Sequence, residues 1–362
     1  MSDQTHRTVL IAAGGTGGHV FPGVAIAHAL KAHSVNVVWL GSKGGMEQAW
    51  IEKEQLPLYL VSVKGLRGKS LMLRLQAFFN FFWAYGQALE HLRAIRPHLV
   101  LCMGGFVSAP VGLAARTLGI PLVLHEQNAI AGMTNRILSY IASKVFLAFQ
   151  PTRGICLKNA IFTGNPVREA IRALVSPSER FSHRSGALVV LVLGGSRGAQ
   201  ALNEKMPLAL QQLNQPLHVI HQCGGGTDPE IVRRLYQNDN VQAEVFPFID
   251  DMAAVYEKVD CVICRSGALT ISELMVAGLP SILVPYPHAV DDHQTVNAQI
   301  LLSAGAAYLW QQHEPLEKLV EQLRVVMNRT ILLEMANRAR SLACVNTIDV
   351  MMQQFELMRS DV

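Results

Sequence analysis

The sequence predicts an α/β protein built from two Rossmann-like, doubly wound domains facing a cleft. Three observations carry that expectation. The apolar run TVLIAA (8–13) meets the glycine-rich GGTGGH (14–19) and passes at once into a helical pattern, VFPGVAIAHALKAH. About half a chain later the plan recurs as ALVVLVL (187–193), GGSRGA (194–199) and QALNEKMPLALQQL. Strand-like runs then alternate with helical stretches: VNVVWLG, HLVLCMG and PLVLHEQ in the first half, HVIHQCG, DCVICR and PSILVP in the second. Continuous apolar runs suit strands covered on both faces, and their alternation with helices is the pattern of parallel sheets.

A chain of 362 residues suits two such cores. The expected division is 1–165 and 166–362, with the final helix either in the second domain or packed back on the first. The polar, Pro177-containing stretch ALVSPSERFSHRSG (173–186) reads as the least structured segment near that boundary. Half the residues are apolar and 16% are charged, the balance of a folded enzyme rather than a disordered chain. The net charge of +4 is too slight to point to nucleic acid, though it would favour an anionic membrane surface. Cys261 and Cys264 are spaced as CxxC, but no second Cys/His pair follows at zinc spacing. They read as core thiols of a reducing compartment. The N-terminus runs into a strand with no signal-peptide pattern, and no apolar run reaches the ~18–20 residues that span a bilayer.

The glycine turns are suited to phosphate, because backbone N–H groups and a helix N-terminus face the ligand. Thr16, Gly17 and Gly18 are substrate-binding candidates on this ground. A dinucleotide GxGxxG is not present, since Val20 stands at the third glycine and VNVVWLGSKGG lacks the acidic residue that would hold a ribose. GLRGKS (65–70) has a Walker ending with the preceding glycine too close. A third turn, MGGFVSAP (103–110), follows HLVLCM, so the turns suggest two phosphate-bearing ligands; glycines common at strand-to-helix turns are the other explanation.

Individual residues carry further chemistry, each with a plainer alternative. Glu273 could accept both hydroxyls of a ribose, or be an ordinary helix-surface carboxylate. Ser196 could donate to a diphosphate, or cap the following helix. Arg168 suits a phosphate oxygen, or is a surface arginine near the linker. His19 starts a helix, where the positive dipole end favours a neutral ring; it is the first candidate for a general base, with a structural histidine as the alternative. His125 and Glu126 are the reserve candidates. Asp250–Asp251 and Asp291–Asp292 lack histidine partners, so no metal and no cofactor is expected. In 64–85, KGLRGKSLMLRLQAFFNFFWAY, basic residues precede an aromatic cluster. This is the pattern of an interfacial helix, or of a very apolar core helix.

Across residues 8 to roughly 310, GGTGGHVFPGVAIAHAL, GLRGKS, MGGFVSAPVGLAA, PLVLHEQNAIAGMTNR, TGNPVR, GGSRGAQALN, FIDDMAAVY, CRSGALTISELMVAGLPSILVPYPHAVDDHQTVNA and AGAA follow in order. In this the chain resembles the MurG family of UDP-N-acetylglucosamine transferases, which make lipid II for peptidoglycan. The resemblance implies a GT-B fold, with the donor UDP-GlcNAc in the C-terminal domain and the acceptor lipid I facing the N-terminal one. It implies inverting transfer to a MurNAc 4-hydroxyl at the cytoplasmic face of the inner membrane, and partners in the cell-wall and division machinery. It further implies that Glu273 holds the ribose, Ser196 the diphosphate, and Ile249 the uracil through its backbone. Ala268, Leu269, Thr270, Ile271, Ser272 and Glu273 would line the nucleotide, and Asn128 and Gln294 would meet the donor sugar. Rival expectations are another GT-B lipid glycosyltransferase and a UDP-GlcNAc 2-epimerase.

Overall fold

The computed structural model describes residues 7–15, 17–63, 71–195, 198–236 and 239–360. The chain forms two compact units. One runs from the N-terminus to Pro166 and includes the final helix, Thr347–Ser360; the other is Val167–Val345.

In the first unit seven parallel strands are β1 (Thr8–Ala12), β2 (Asn36–Ser42), β3 (Leu58–Val61), β4 (Leu99–Cys102), β5 (Leu122–Glu126), β6 (Lys144–Leu147) and β7 (Ala160–Phe162). Their order is β3-β2-β1-β4-β5-β6-β7. The period-two geometry of a strand divides β1 between two cores: Val9 and Ile11 join Trp39, Leu101 and Phe146 on one face, while Leu10 and Ala12 join Leu40, Val100 and Leu124 on the other. The final helix completes the first of these cores with Met351, Met352 and Phe355. Phe355 meets Phe146 edge-on at 5.6 Å, and Lys144 Nζ donates to Gln354 Oε1 at 2.6 Å.

The second unit holds β8 (Leu188–Leu193), β9 (Leu217–Gln222), β10 (Val241–Phe246), β11 (Cys261–Cys264), β12 (Ser281–Leu283) and β13 (Ala307–Leu309), in the order β10-β9-β8-β11-β12-β13. Every pairing in both sheets is parallel. Each sheet is therefore doubly wound, and the strand order reverses between β1 and β4 and again between β8 and β11. Ligands of such sheets bind beyond the strand C-termini at that reversal.

One expectation changes, and one open alternative is narrowed. The stretch 173–186 is not loop: Ser176 caps a helix, Pro177–Ser182, by accepting from the Glu179 N–H, and Arg180 donates to the carbonyls of Ala277 and Gly278. The aromatic cluster of the 25-residue helix Leu71–Ile95 is not core. Phe78, Phe79, Phe82 and Trp83 are exposed, while Ala84, Ala88 and Leu92 face inward at helical spacing. Cys261 and Cys264 are buried in β11, and burial pushes both thiols up, that of Cys261 to about 12, so neither is a thiolate at neutral pH.

Candidate active site

At the reversal point of the first sheet, two glycine turns meet. Gly105, at φ +81°, lies so close to the Gly14 carbonyl that a Cβ there would overlap its oxygen. Ser108 links the turns. Its hydroxyl lies 3.0 Å from the Ala12 carbonyl and 2.8 Å from that of Gly104, and it accepts from the Gly104 N–H. Behind the first turn sits a fully buried Glu47, which accepts from the N–H groups of Gly15 and Ser42 and from the Ser42 hydroxyl. The Gly15 N–H is thus engaged by protein.

His19 stands in the first turn of the helix Gly17–Ala32, half-buried. A Cβ on Gly104 would come 3.1 Å from its Nδ1 and Cε1, so glycine there makes room for the ring. Nδ1 lies 3.0 Å from Gln127 Oε1. The Gln127 amide nitrogen reaches His125 Nδ1 (2.9 Å) and the His125 carbonyl (3.1 Å), and His125 Nε2 reaches the Gly164 carbonyl at 3.2 Å. Burial lowers the pKa of His125 to about 4, so its ring is neutral at physiological pH.

Glu126, the last residue of β5, is buried with donors on both oxygens. Oε1 accepts from the Asn128 N–H at 2.9 Å, and Oε2 from the Gly132 N–H at 3.1 Å and Asn135 Nδ2 at 2.9 Å. Burial pushes its carboxyl up, against these donors. Asn135 also donates to the His125 carbonyl, so the loop 126–132 is wrapped around the carboxylate and tied to the strand.

In the second unit the helix Ala268–Ala277 starts just beyond β11, with no side chain capping it. Glu273 is mostly buried there. Its Oε1 accepts from Arg168 at 3.1 Å and its Oε2 from the Tyr256 hydroxyl at 3.1 Å. Burial raises its pKa, while Arg168 and Tyr256 oppose the shift. Leu269, Thr270 and Glu273 reach the surface, whereas Ala268, Ile271 and Ser272 are buried and the Ser272 hydroxyl donates to the Ala268 carbonyl. Ile249 is half-buried in the segment after β10, between the exposed ring of Phe248 and Asp250. Gln294 accepts from the Tyr286 N–H at 2.8 Å. The companion turn, 194–199, is fixed by Gly198, which at φ +76° packs onto the Cys223 carbonyl. Among the described residues no group of three or more His, Cys, Asp or Glu side chains could hold a metal.

The predicted residues therefore gather into two sets. Gly17, Gly18, His19, His125, Glu126 and Asn128 lie around the reversal of the first sheet; Arg168 joins Glu273 in the second unit. Thr16, Ser196 and residues 64–70 lie outside the described residues. Sequence reasoning missed Glu47, Ser108, Gln127, Asn135 and Tyr256. Gln127, Asn135 and Ser108 did lie in the blocks HEQNAIAG, MTNR and MGGFVSAP, but without an assigned role.

Two doubly wound units, each with a glycine turn at its reversal point, define the architecture of nucleotide-sugar glycosyltransferases. The glycosyltransferase family 28 N-terminal domain matches residues 9–147, and the glycosyltransferase family 28 C-terminal domain matches residues 189–349. Among curated proteins, the UDP-N-acetylglucosamine–N-acetylmuramyl-(pentapeptide) pyrophosphoryl-undecaprenol N-acetylglucosamine transferase of Cupriavidus pinatubonensis is 46% identical, over 93% of this chain and 94% of its own. The protein of the same name from Hahella chejuensis is 48% identical over 93% of this chain and 94% of its own. Among solved structures, MurG of Acinetobacter baumannii superposes with a TM-score of 0.85 at 38% identity, covering 97% of this chain and 99% of that one. The chain belongs to glycosyltransferase family 28 and, within it, to the MurG family.

Proposed function

We propose that the protein transfers N-acetylglucosamine from UDP-N-acetylglucosamine to the MurNAc 4-hydroxyl of undecaprenyl-pyrophosphoryl-MurNAc-pentapeptide (lipid I), inverting the anomeric carbon and releasing lipid II and UDP. The observation that carries this reading is likeness at 46% identity, over nearly the whole chain, to a transferase bearing that name. In the second unit, Glu273 accepts the ribose hydroxyls, Arg168 turns from Glu273 to a phosphate oxygen, and Ser196 donates to the diphosphate. Ile249 meets the uracil through its backbone beside Phe248. The surface of Ala268–Glu273 faces the nucleotide, and Gln294 meets the sugar. In the first unit, Thr16, Gly17, Gly18 and Asn128 contribute to substrate binding. His19 takes the proton as the hydroxyl attacks; the pyrophosphate leaves as a stable anion and needs no general acid.

No helix among the described residues is long and apolar enough to cross a membrane. The exposed Phe78, Phe79, Phe82 and Trp83 support peripheral attachment through 64–85, at the cytoplasmic face of the inner membrane where a polyprenyl acceptor lies. Contacts with cell-wall and division machinery would follow from that location.

Labelled UDP-GlcNAc with a short-chain lipid I analogue tests the reading. Transfer to the analogue is expected. Turnover of UDP-GlcNAc to the 2-epimer, or preference for UDP-glucose and a diacylglycerol, would overturn it. His19→Ala should lower kcat by about 10²–10⁴ with donor affinity nearly unchanged.

A further inference from the structure

The hydrogen bonds around His19 run in one direction. At the buried end, the Gly164 carbonyl can only accept, so His125 Nε2 carries the proton that joins them at 3.2 Å. A buried, neutral His125 then has a bare Nδ1, which must accept. Its partner is the Gln127 amide nitrogen at 2.9 Å. The same nitrogen donates its second proton to the His125 carbonyl at 3.1 Å. Two acceptors thus fix the amide, because the flipped form would set its oxygen against a carbonyl and a lone pair. Gln127 Oε1 is left facing His19 Nδ1 at 3.0 Å, and an amide oxygen can only accept. His19 must therefore carry its proton on Nδ1. Its Nε2 has no hydrogen-bond partner among the described residues. Gln127 is itself held from behind, its backbone carbonyl accepting from Asn165 Nδ2 at 3.1 Å.

We propose that Gln127 and His125 are positioning residues that hold His19 in the Nδ1–H tautomer, so that its Nε2 lone pair is the proton acceptor. This rests on the reading of His19 as the base. It gives His125 a role different from the one its residue type suggests: it touches no reacting atom and instead sets the polarity of the chain. A base in the wrong tautomer presents an N–H where a lone pair is needed, which in a comparable enzyme costs about 10⁴ in rate.

The test is a long-range proton–nitrogen correlation spectrum of the full chain labelled with 15N-histidine, with the His19 signals assigned by their loss in His19→Ala. Wild type should show a protonated Nδ1 and a bare Nε2 on His19 near pH 8, and the reverse for His125. Gln127→Leu should convert His19 partly or wholly to the other tautomer. Its kcat should fall about tenfold or more, towards the 10⁴ bound, while KM for the donor stays within about twofold. Gln127→Glu keeps an acceptor opposite His19 Nδ1, so His19 should stay in the Nδ1–H form, while the second carboxylate oxygen, set against the His125 carbonyl and the bare His125 Nδ1, should draw a proton onto His125 Nδ1 or onto the carboxyl itself. A bare Nδ1 on wild-type His19 overturns the proposal even if no variant folds, as does a Gln127→Leu protein whose His19 tautomer is unchanged. If His19→Ala keeps its rate while the wild-type spectrum is as stated, the base assignment has failed and the network serves structure alone.

Discussion

Lowering the pH from 8 to 5 should weaken the second unit through one buried ring. His221 lies fully inside β9, where its Nδ1 accepts from the Tyr236 hydroxyl at 2.9 Å and its Nε2 donates to Asn203 Oδ1 at 3.1 Å. Burial lowers its pKa from 6.5 to about 4. Between these values the unfolded chain binds a proton that the folded one does not, so stability falls as the pH falls. The contribution is complete above 6.5 and exhausted below 4. At pH 5 the medium is about one and a half units below the unfolded value, and at ~1.4 kcal/mol per unit the loss is about 2 kcal/mol. Glu273, whose pKa is raised, acts with the opposite sign, so a single stability curve would mix the two. The difference between wild type and His221→Leu separates them. That variant orphans the Tyr236 hydroxyl and Asn203 Oδ1 and should be less stable at pH 8 by about 2–6 kcal/mol, at ~1–3 for each group. The gap should shrink by about 2 kcal/mol at pH 5. Hydrogen exchange of β8 and β9 amides reads the second unit by itself. A gap that does not change with pH, or a His221 ring that titrates near 6.5 by NMR, would refute the reasoning. The effect bears on function because Asn203 also donates to the Cys223 carbonyl, on which Gly198 of the glycine turn rests.

Glu273→Ala should raise the donor KM at least tenfold, the loss of two charge-assisted bonds to a ribose, with a much smaller effect on chemistry in the bound state; an unchanged KM removes Glu273 from the donor site. Phe78, Phe82 and Trp83 changed together to Ser should loosen binding to anionic vesicles in flotation while leaving the thermal midpoint within a few degrees; a collapse of the midpoint would show that these side chains support the fold. Glu126→Gln should destabilise the first unit by about 1–3 kcal/mol in urea unfolding, because its new NH2 must face an N–H donor; a neutral effect would mean that the carboxyl is already protonated in the folded protein.

The sequence carried the fold further than the site. The two parallel α/β units follow from alternation of apolar runs with helices, and the glycine turns mark strand-to-helix junctions, because both are set by local backbone needs; the strand order is a global property that only the structure shows. Gly104 and Gly105 could be read as a turn, but their particular demands, room for the His19 ring and contact with the Gly14 carbonyl, arise from residues far away in the chain. The aromatic helix was ambiguous for a related reason. Apolar content does not say which face is covered, and Ala84, Ala88 and Leu92, rather than the larger rings beside them, turned out to face the core. Tyr256 and Ser108 were invisible because a buried hydroxyl looks the same in sequence whether it fills space or completes a hydrogen bond.

His125 and Glu126 show the same limit within the site. By residue type both are acid–base candidates at a strand end. In the structure both are buried, and each has its polar atoms occupied by protein. A group whose lone pairs already accept from fixed donors must break those bonds to take a proton, at a cost of ~1–3 kcal/mol per orphaned donor. His19 is the only one of the three with a ring nitrogen left unengaged by the described residues, and it is the one placed at a helix start rather than within the sheet. With His19 as the proposed base, the chemistry would divide between a half-exposed ring that can meet substrate and buried neighbours that decide which of its nitrogens is basic.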